Sequence, residues 1–134
     1  MKKNLLLLLL VGTFFTACED DEDPHHHHGD YMVTIDIQSP GAGSQFTNGD
    51  SLHIHVNFTN DDVIHYVQVI VENASTGEEI YNEQEHAHAD LSMTYHDHVE
   101  LSATETGDYV LRALSWPHDS DEHKITEEVM FQVN

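Results

Sequence analysis

The sequence predicts an all-β protein, with a single antiparallel β-sandwich of seven short strands in residues 31–134. Apolar and polar residues alternate with period two from Tyr31 onward, which is the pattern of strands with one buried and one solvated face. Turn-forming residues interrupt the alternation at regular intervals, and the stretch shows no helix-length pattern of period 3.6. About a hundred residues are enough for one compact domain.

The predicted strands follow the alternating stretches in order. They span residues 31–37, 52–59, 63–72, 79–85, 91–101, 109–116 and 125–133. Glycine, proline and small polar residues separate them, at 39–43 and 48–50 after the first strand and at 75–77 between the third and fourth.

The sixth strand begins with Gly107-Asp108-Tyr109, ahead of Val110 and Leu111. This start resembles that of the sixth strand in immunoglobulin-like domains, where a tyrosine corner lies. As a whole, residues 31–134 resemble the small immunoglobulin-like domains of bacterial surface lipoproteins. The resemblance implies an immunoglobulin-like seven-stranded sandwich, in which the second and fifth strands are antiparallel neighbours. It implies a fold rather than an activity.

Residues 1–17 have the features of a secretory signal peptide. Lys2 and Lys3 precede an apolar run that is too short to span a bilayer, and small residues stand before Cys18. Residues 15–18 resemble the lipobox of bacterial lipoproteins. That resemblance implies that Cys18 becomes the lipidated first residue of the mature protein, anchored in the outer membrane.

Residues 18–30 predict an acidic, histidine-rich flexible tether. The consecutive acidic residues 19–23 repel one another and stay extended. They resemble the acidic tract that directs some gram-negative lipoproteins to the cell surface, so we expect the domain to face the periplasm or the cell surface. The histidines at 25–28 can bind metal ions weakly without any fold.

The chain carries 25 acidic against 4 basic residues, a formal net charge of −21. Such a surface repels phosphate backbones and attracts cations, which excludes nucleic acid as a partner. Cys18 is the only cysteine, so an intramolecular disulfide is impossible.

The 13 histidines dominate the available chemistry, and strand parity predicts where they point. The even-numbered residues 52–58 are apolar and form a core face, so His53 and His55 project to the opposite face. The same argument places His96 and His98 outward on the fifth strand, where Asp97 breaks the apolar face and predicts a bulge. If the second and fifth strands are neighbours, the two pairs lie side by side.

Two opposed His-x-His pairs have the geometry of a metal site. Residues i and i+2 are about 6.6 Å apart along a strand, and opposed Cβ atoms are roughly 5 Å apart. Opposed imidazoles can therefore share an ion at the ~2.0–2.1 Å of a Zn–N bond. We rank Zn²⁺ first, Cu²⁺ second and Ni²⁺ third. Glu100 and Asp97 are candidate hydrogen-bond acceptors for the ligating rings.

His86 and His88 form a third pair at the end of the fourth strand. If that strand flanks the fifth, the cluster grows to six imidazoles; if it is a C′ strand, the pair lies in the other sheet or in a loop. His65 shares the parity of core valines and is interpreted as a hydrogen-bonded histidine at the core edge. His118 and His123 flank acidic residues in the loop before the last strand, which is interpreted as solvated; a secondary oxygen-and-nitrogen cation site is the alternative.

These observations predict an envelope lipoprotein that captures, buffers or delivers transition metal ions. The alternative is a metal-independent adhesion or docking module that binds an envelope protein. An enzyme is disfavoured, because the similarity to copper–zinc superoxide dismutases is faint and one cysteine cannot form their disulfide. Ser115 and His118 have a spacing that any loop produces, so they do not indicate a nucleophile and its base.

Overall fold

The structure, a computed structural model, describes residues 31–102, 105–118 and 123–134. The signal peptide, Cys18 and the tether histidines lie outside these residues. Six strands form in the described chain: β1 (Val33–Ser39), β2 (Gln45–Phe46), β3 (Ser51–Asn73), β4 (Glu79–Glu100), β5 (Gly107–Trp116) and β6 (Ile125–Val133). The all-β class is confirmed. Within the described ranges, no helix has the length and apolar character to cross a membrane.

The structure has six strands rather than seven, because two pairs of predicted strands are each continuous, which leaves five, and the short strand β2 is added. β3 contains the second and third predicted strands, and β4 contains the fourth and fifth. The polar residues at 60–62 do not end the chain's pairing, because the β3–β4 ladder resumes after a register shift. A bulge accommodates extra residues in this way. β2, which pairs in parallel with β6, is too short for alternation to reveal.

β3 is the central strand of the sheet and changes neighbours along its length. Its first half pairs with β1 and with the second half of β4, so that Val56 lies between Ile37 and Tyr95. Its second half pairs with β5 and with the first half of β4, so that Val69 lies between Ala113 and Glu83. β6 and then β2 continue the sheet beyond β5. In the described chain, β4 has β3 as its one hydrogen-bonded neighbour.

The long β3–β4 hairpin curls over on itself at a region that we call the bend, residues 59–66 of β3 and 86–92 of β4. Register shifts occur there between Thr59 and Val63 and again between Ile64 and Tyr66. On β4, His88 and Leu91 adopt the left-handed φ values of 43° and 63°. Bulges of this kind bend a strand and increase its twist.

The curl brings distant parts of β4 into contact. The Tyr81 hydroxyl hydrogen-bonds to the Tyr95 hydroxyl and donates a 2.6 Å bond to Oδ2 of Asp97. In a straight strand, residues as far apart as Tyr81 and Tyr95 would be separated by about 46 Å. The two halves of the hairpin therefore face each other across a shared interior.

That interior is lined by the residues that strand parity assigns to the core. Leu52, Ile54, Val56 and Phe58 are fully buried in the first half of β3. In the second half the buried positions are odd-numbered, at Val67, Val69 and Val71. The phase of burial changes where the ladder shifts register between Ile64 and Tyr66, and His65 lies within that shift.

The start of β5 carries the tyrosine corner that the sequence resemblance implies. Tyr109 is buried, and its hydroxyl donates a 2.8 Å hydrogen bond to the backbone carbonyl of Glu105. This bond ties the buried strand to the loop that precedes it, as the tyrosine corner does in immunoglobulin-like domains.

Candidate functional site

Four histidines face one another across the β3–β4 ladder on the outer side of the sheet. His53 pairs directly with His98, and His55 pairs with His96. The ring centroids are 5.9 Å apart in the first pair and 5.8 Å apart in the second. We call His53, His55, His96 and His98 the sheet-face histidines. Three of them are exposed and His55 is half-buried.

The sheet-face histidines belong to a continuous polar surface. The next row towards the bend pairs Asn57 with Thr94, whose hydroxyl donates a 2.9 Å hydrogen bond to the Asn57 side chain. Asp36 of β1 extends this row, and a shallow depression of about 400 Å³ lies over it. The row beyond His53 and His98 pairs Ser51 with Glu100. Glu100 is therefore on the same face as the imidazoles and can accept hydrogen bonds there.

Asp97 does not have the place that the sequence predicts. It pairs regularly with Ile54, and the ladder has no register shift at this position, so the predicted bulge is wrong. Because Ile54 is buried, Asp97 faces the interior and not the sheet-face rings. The Tyr81 hydroxyl donates to its carboxylate and holds the pKa of Asp97 below the ordinary value. Burial in turn raises the pKa of Tyr81. Asp97 therefore links the two halves of β4 through Tyr81 and does not orient the outer imidazoles.

A second group of histidines meets at the bend. The ring centroid of His65 lies 5.4 Å from that of His88 and 5.9 Å from that of His118. His86 lies 3.9 Å from His88 and 5.9 Å from His118, and His88 lies 6.3 Å from His118. We call His65, His86, His88 and His118 the bend histidines. They come from β3, from β4 and from the residues that follow β5.

Pairing across three strands positions the bend histidines. Tyr66 is the partner of His86 on one side and of Trp116 on the other. The three rings stack in a row, with centroid distances of 4.4 Å between Tyr66 and His86 and 5.4 Å between Tyr66 and Trp116. His118 follows Trp116 by two residues and therefore lies beside this row, with its ring centroid 6.1 Å from that of Tyr66.

The backbone of His88 explains its closeness to His86. Residues i and i+2 of a regular strand are about 6.6 Å apart, whereas these two ring centroids are 3.9 Å apart. His88 itself has a left-handed φ of 43°, which turns its side chain towards His86. Partial desolvation, and then the nearby His88, His118 and His65, lower the pKa of His86 below the ordinary value.

His86 and His88 lie apart from the sheet-face histidines. His86 and His88 pair with the second half of β3, so they do not extend the sheet-face histidines to six. They meet His65 and His118 instead, for which the sequence predicts a core-edge position and a place in a solvated loop. His65 is half-buried and His118 is exposed. The available signal was the neighbouring position of the third and sixth strands in immunoglobulin-like sheets.

The side chains of the described residues, as they are placed, include no group of three or more His, Cys, Asp or Glu that is set to hold a metal ion.

No family model matches the chain, and neither does any curated protein. Among solved structures, the CARDB domain of a Pyrococcus furiosus protein in complex with di-metal ions is 12% identical, covers 78% of this chain and 89% of its own, and has a TM-score of 0.50. Fibronectin(III)-like modules of Clostridium thermocellum are 22% identical over 76% of this chain and 94% of theirs, with a TM-score of 0.46. A Listeria innocua β-glucosidase is 16% identical, and the match covers 75% of this chain but only 16% of the enzyme, with a TM-score of 0.47. Similarity at this level describes the fold alone.

Proposed function

We propose that this protein binds transition metal ions at the bacterial envelope, with Zn²⁺ preferred over Cu²⁺ and Ni²⁺ as its physiological ligand. The observation that carries the proposal is the direct opposition of two histidine pairs, His53 with His98 and His55 with His96. Serine, threonine or lysine would serve equally well on the solvated face of a strand, so folding does not require histidine at four adjoining positions. The protein would act as a carrier or buffer, without a catalytic role.

The spacing of the opposed rings suits shared coordination. Two nitrogens bound to one Zn²⁺ at about 2.0–2.1 Å lie roughly 3.3 Å apart in a tetrahedral site. Rings with centroids 5.8 and 5.9 Å apart can present nitrogens at that separation after rotation about χ2. That torsion is broad in histidine, so the rotation costs little. Water or the Glu100 carboxylate can complete the coordination.

The charge of the chain supports a cationic ligand. With residues 1–17 removed, Arg112 and Lys124 would be the remaining basic residues against 25 acidic ones. A field of this sign raises the local concentration of cations. The expected lipid anchor at Cys18 would hold the domain at the outer membrane, facing the periplasm or the cell surface, where the ion could be passed to an envelope protein partner.

We infer that the domain is an immunoglobulin-like sandwich in which the usual breaks within the hairpin are replaced by the bend. The pairing of the first half of β3 with the second half of β4 reproduces the expected contact between the second and fifth strands. The hydrogen bond from Tyr109 to Glu105 and the fold similarity to the CARDB domain support the same assignment.

Calorimetric titration with Zn²⁺ tests the sheet-face site. The full chain in detergent is used, with the histidines at 25–28 changed to serine so that weak binding by the tether does not contribute. We expect the H53A/H55A/H96A/H98A variant to lose bound Zn²⁺ relative to this parent. The matched control N57A/T94A alters the next row of the same face and should retain it. Unchanged stoichiometry and affinity in the histidine variant would remove the sheet-face site.

A further inference from the structure

We propose that the bend histidines His65, His86, His88 and His118 form a second metal site, which binds one Zn²⁺ or Cu²⁺ through four imidazole nitrogens. This site is separate from the sheet-face histidines and does not depend on them. It also differs in kind, because its rings come from three segments and gather in one cluster, whereas the sheet-face histidines lie in two rows on an open surface.

The ring separations carry this inference. Four imidazoles directed at one ion with Zn–N bonds of about 2.0–2.1 Å have ring centroids on the order of 5 Å apart. Four of the separations among the bend histidines are 5.4, 5.9, 5.9 and 6.3 Å. The fifth, 3.9 Å between His86 and His88, is shorter, and these rings must spread to bind on different sides of an ion. Both residues are exposed, so this spreading requires side-chain rotation and no change in the core.

The origin of the ligands gives the site a structural role. His65 lies on β3, His86 and His88 lie on β4, and His118 follows β5, so a shared ion would link three segments at the bend. His86 and His88 are neighbours in the sequence, but His65 and His118 reach them only through the pairing of β3 with β4 and β5. Binding therefore requires the folded state, and it stabilises that state.

Tyr66 and Trp116 cover one side of the bend histidines. His86 stacks on Tyr66 with an interplanar angle of 14°, and Tyr66 stacks on Trp116 with an angle of 12°. An apolar shell of this kind limits solvent access to one side of a bound ion. We therefore expect the bend site to bind more tightly than the sheet-face histidines, which have solvent directly above them.

The single tryptophan of the chain makes the test specific. Trp116 is separated from His118 by one residue and from His86 by the Tyr66 ring. Bound Cu²⁺ quenches the fluorescence of an adjacent indole, whereas Zn²⁺ does not. Titration with Cu²⁺, in the full chain with serine at 25–28, should therefore quench Trp116 at low metal concentration. Excess Zn²⁺ added beforehand should shift the quenching to higher Cu²⁺ concentrations, because the two ions compete for one site and Cu²⁺ binds such ligands more tightly.

Variants separate the two proposed sites. We expect H86A/H88A to weaken the quenching affinity about tenfold or more, because two of four ligands are lost. H118A should weaken it as well, and this second variant alters an exposed residue outside the strands, so folding is preserved. H53A/H55A/H96A/H98A should leave the quenching unchanged. H123A is the matched control, since His123 is an exposed histidine just before β6 and takes part in none of the ring contacts among the described residues.

Co²⁺ absorption reports the coordination number independently. A four-nitrogen site gives the intense visible bands of tetrahedral Co²⁺, and a loosely held hydrated ion gives only weak bands. Quenching that survives in both H86A/H88A and H118A would overturn the proposal, as would weak six-coordinate Co²⁺ bands in the parent. Loss of quenching in the sheet-face variant alone would also overturn it, while leaving the proposed function intact.

Discussion

Replacing Tyr81 with phenylalanine should open the contact that closes the β3–β4 hairpin. The Tyr81 hydroxyl donates to Asp97 at 2.6 Å and also contacts the Tyr95 hydroxyl, and both partners lie in the other half of β4. The substitution removes one oxygen and leaves the ring in place. Its effect therefore measures the hydrogen bonds and not the packing.

The expected loss follows from the charge and burial of the acceptor. Hydrogen bonds to charged groups contribute about 1.5–3 kcal/mol to folding. Asp97 is half-buried, so water reaches the carboxylate once the hydroxyl is gone, and we expect about 1.5 kcal/mol, the low end of that range. For a domain of this size the melting temperature should fall by roughly 6–12 °C.

The loss should depend on pH in a defined direction. The hydrogen bond from Tyr81 lowers the pKa of Asp97 in the folded state. Its stabilisation is therefore fully present above the unfolded value of about 3.9 and is lost as the pH falls through the folded value. The difference in unfolding free energy between the parent and Y81F should be constant near neutral pH and should shrink below about pH 4.

Urea unfolding followed by circular dichroism, in the presence of EDTA, measures both quantities. Y31F is the matched control, because the Tyr31 hydroxyl bonds at 2.8 Å to the hydroxyl of Ser115, a neutral partner. It should cost about 1 kcal/mol and should not show the acid dependence of Y81F. A Y81F effect that keeps its full size in acid would show that the carboxylate does not carry the interaction.

Three further predictions concern the core, the tyrosine corner and the metal. Phe58 is fully buried, so F58A should lower the unfolding free energy by about 3–5 kcal/mol in urea titrations, and a loss below that of Y31F would contradict its core position. Y109F removes the bond to the Glu105 carbonyl and should cost about 1 kcal/mol by the same measurement, whereas no loss would mean that water replaces the bond. Zn²⁺ at a hundredfold excess over its Kd should stabilise the chain by about 2.7 kcal/mol in thermal unfolding. The gain should disappear as the pH falls below the ordinary histidine value of about 6.5, and a gain that persists in acid would exclude imidazole ligands.

The outer face of the sheet was predictable because it depends on local alternation. Parity alone places His53 and His55 on the face of β3 that points away from its buried residues. The resemblance to immunoglobulin-like domains predicts that the strand carrying His96 and His98 is the neighbour on that sheet. Parity does not supply the register that sets His53 directly across from His98, because a slip of two residues would leave both pairs on the same face.

The bend could not be predicted in the same way. Asn60, Asp61 and Asp62 have the composition of a turn, and polar side chains do not reveal whether a ladder ends or shifts register there. His65 lies within the register shift between Ile64 and Tyr66, where strand parity does not determine the direction of a side chain. His118 joins the cluster through the pairing of β5 with β3, which is a contact between segments far apart in the sequence.

The one-sided pairing of β4 has a consequence for solubility. Among residues 31–102, 105–118 and 123–134, β4 pairs along one side only, and a strand of 22 residues with an open side offers a long row of backbone donors and acceptors to a second molecule. Here the left-handed residues His88 and Leu91 divide that row into two shorter pieces that run in different directions. β4 also carries six acidic residues and no lysine or arginine, so two copies brought together along this strand would repel each other. The geometry that gathers the histidines thus also discourages fibre-like association of the chain.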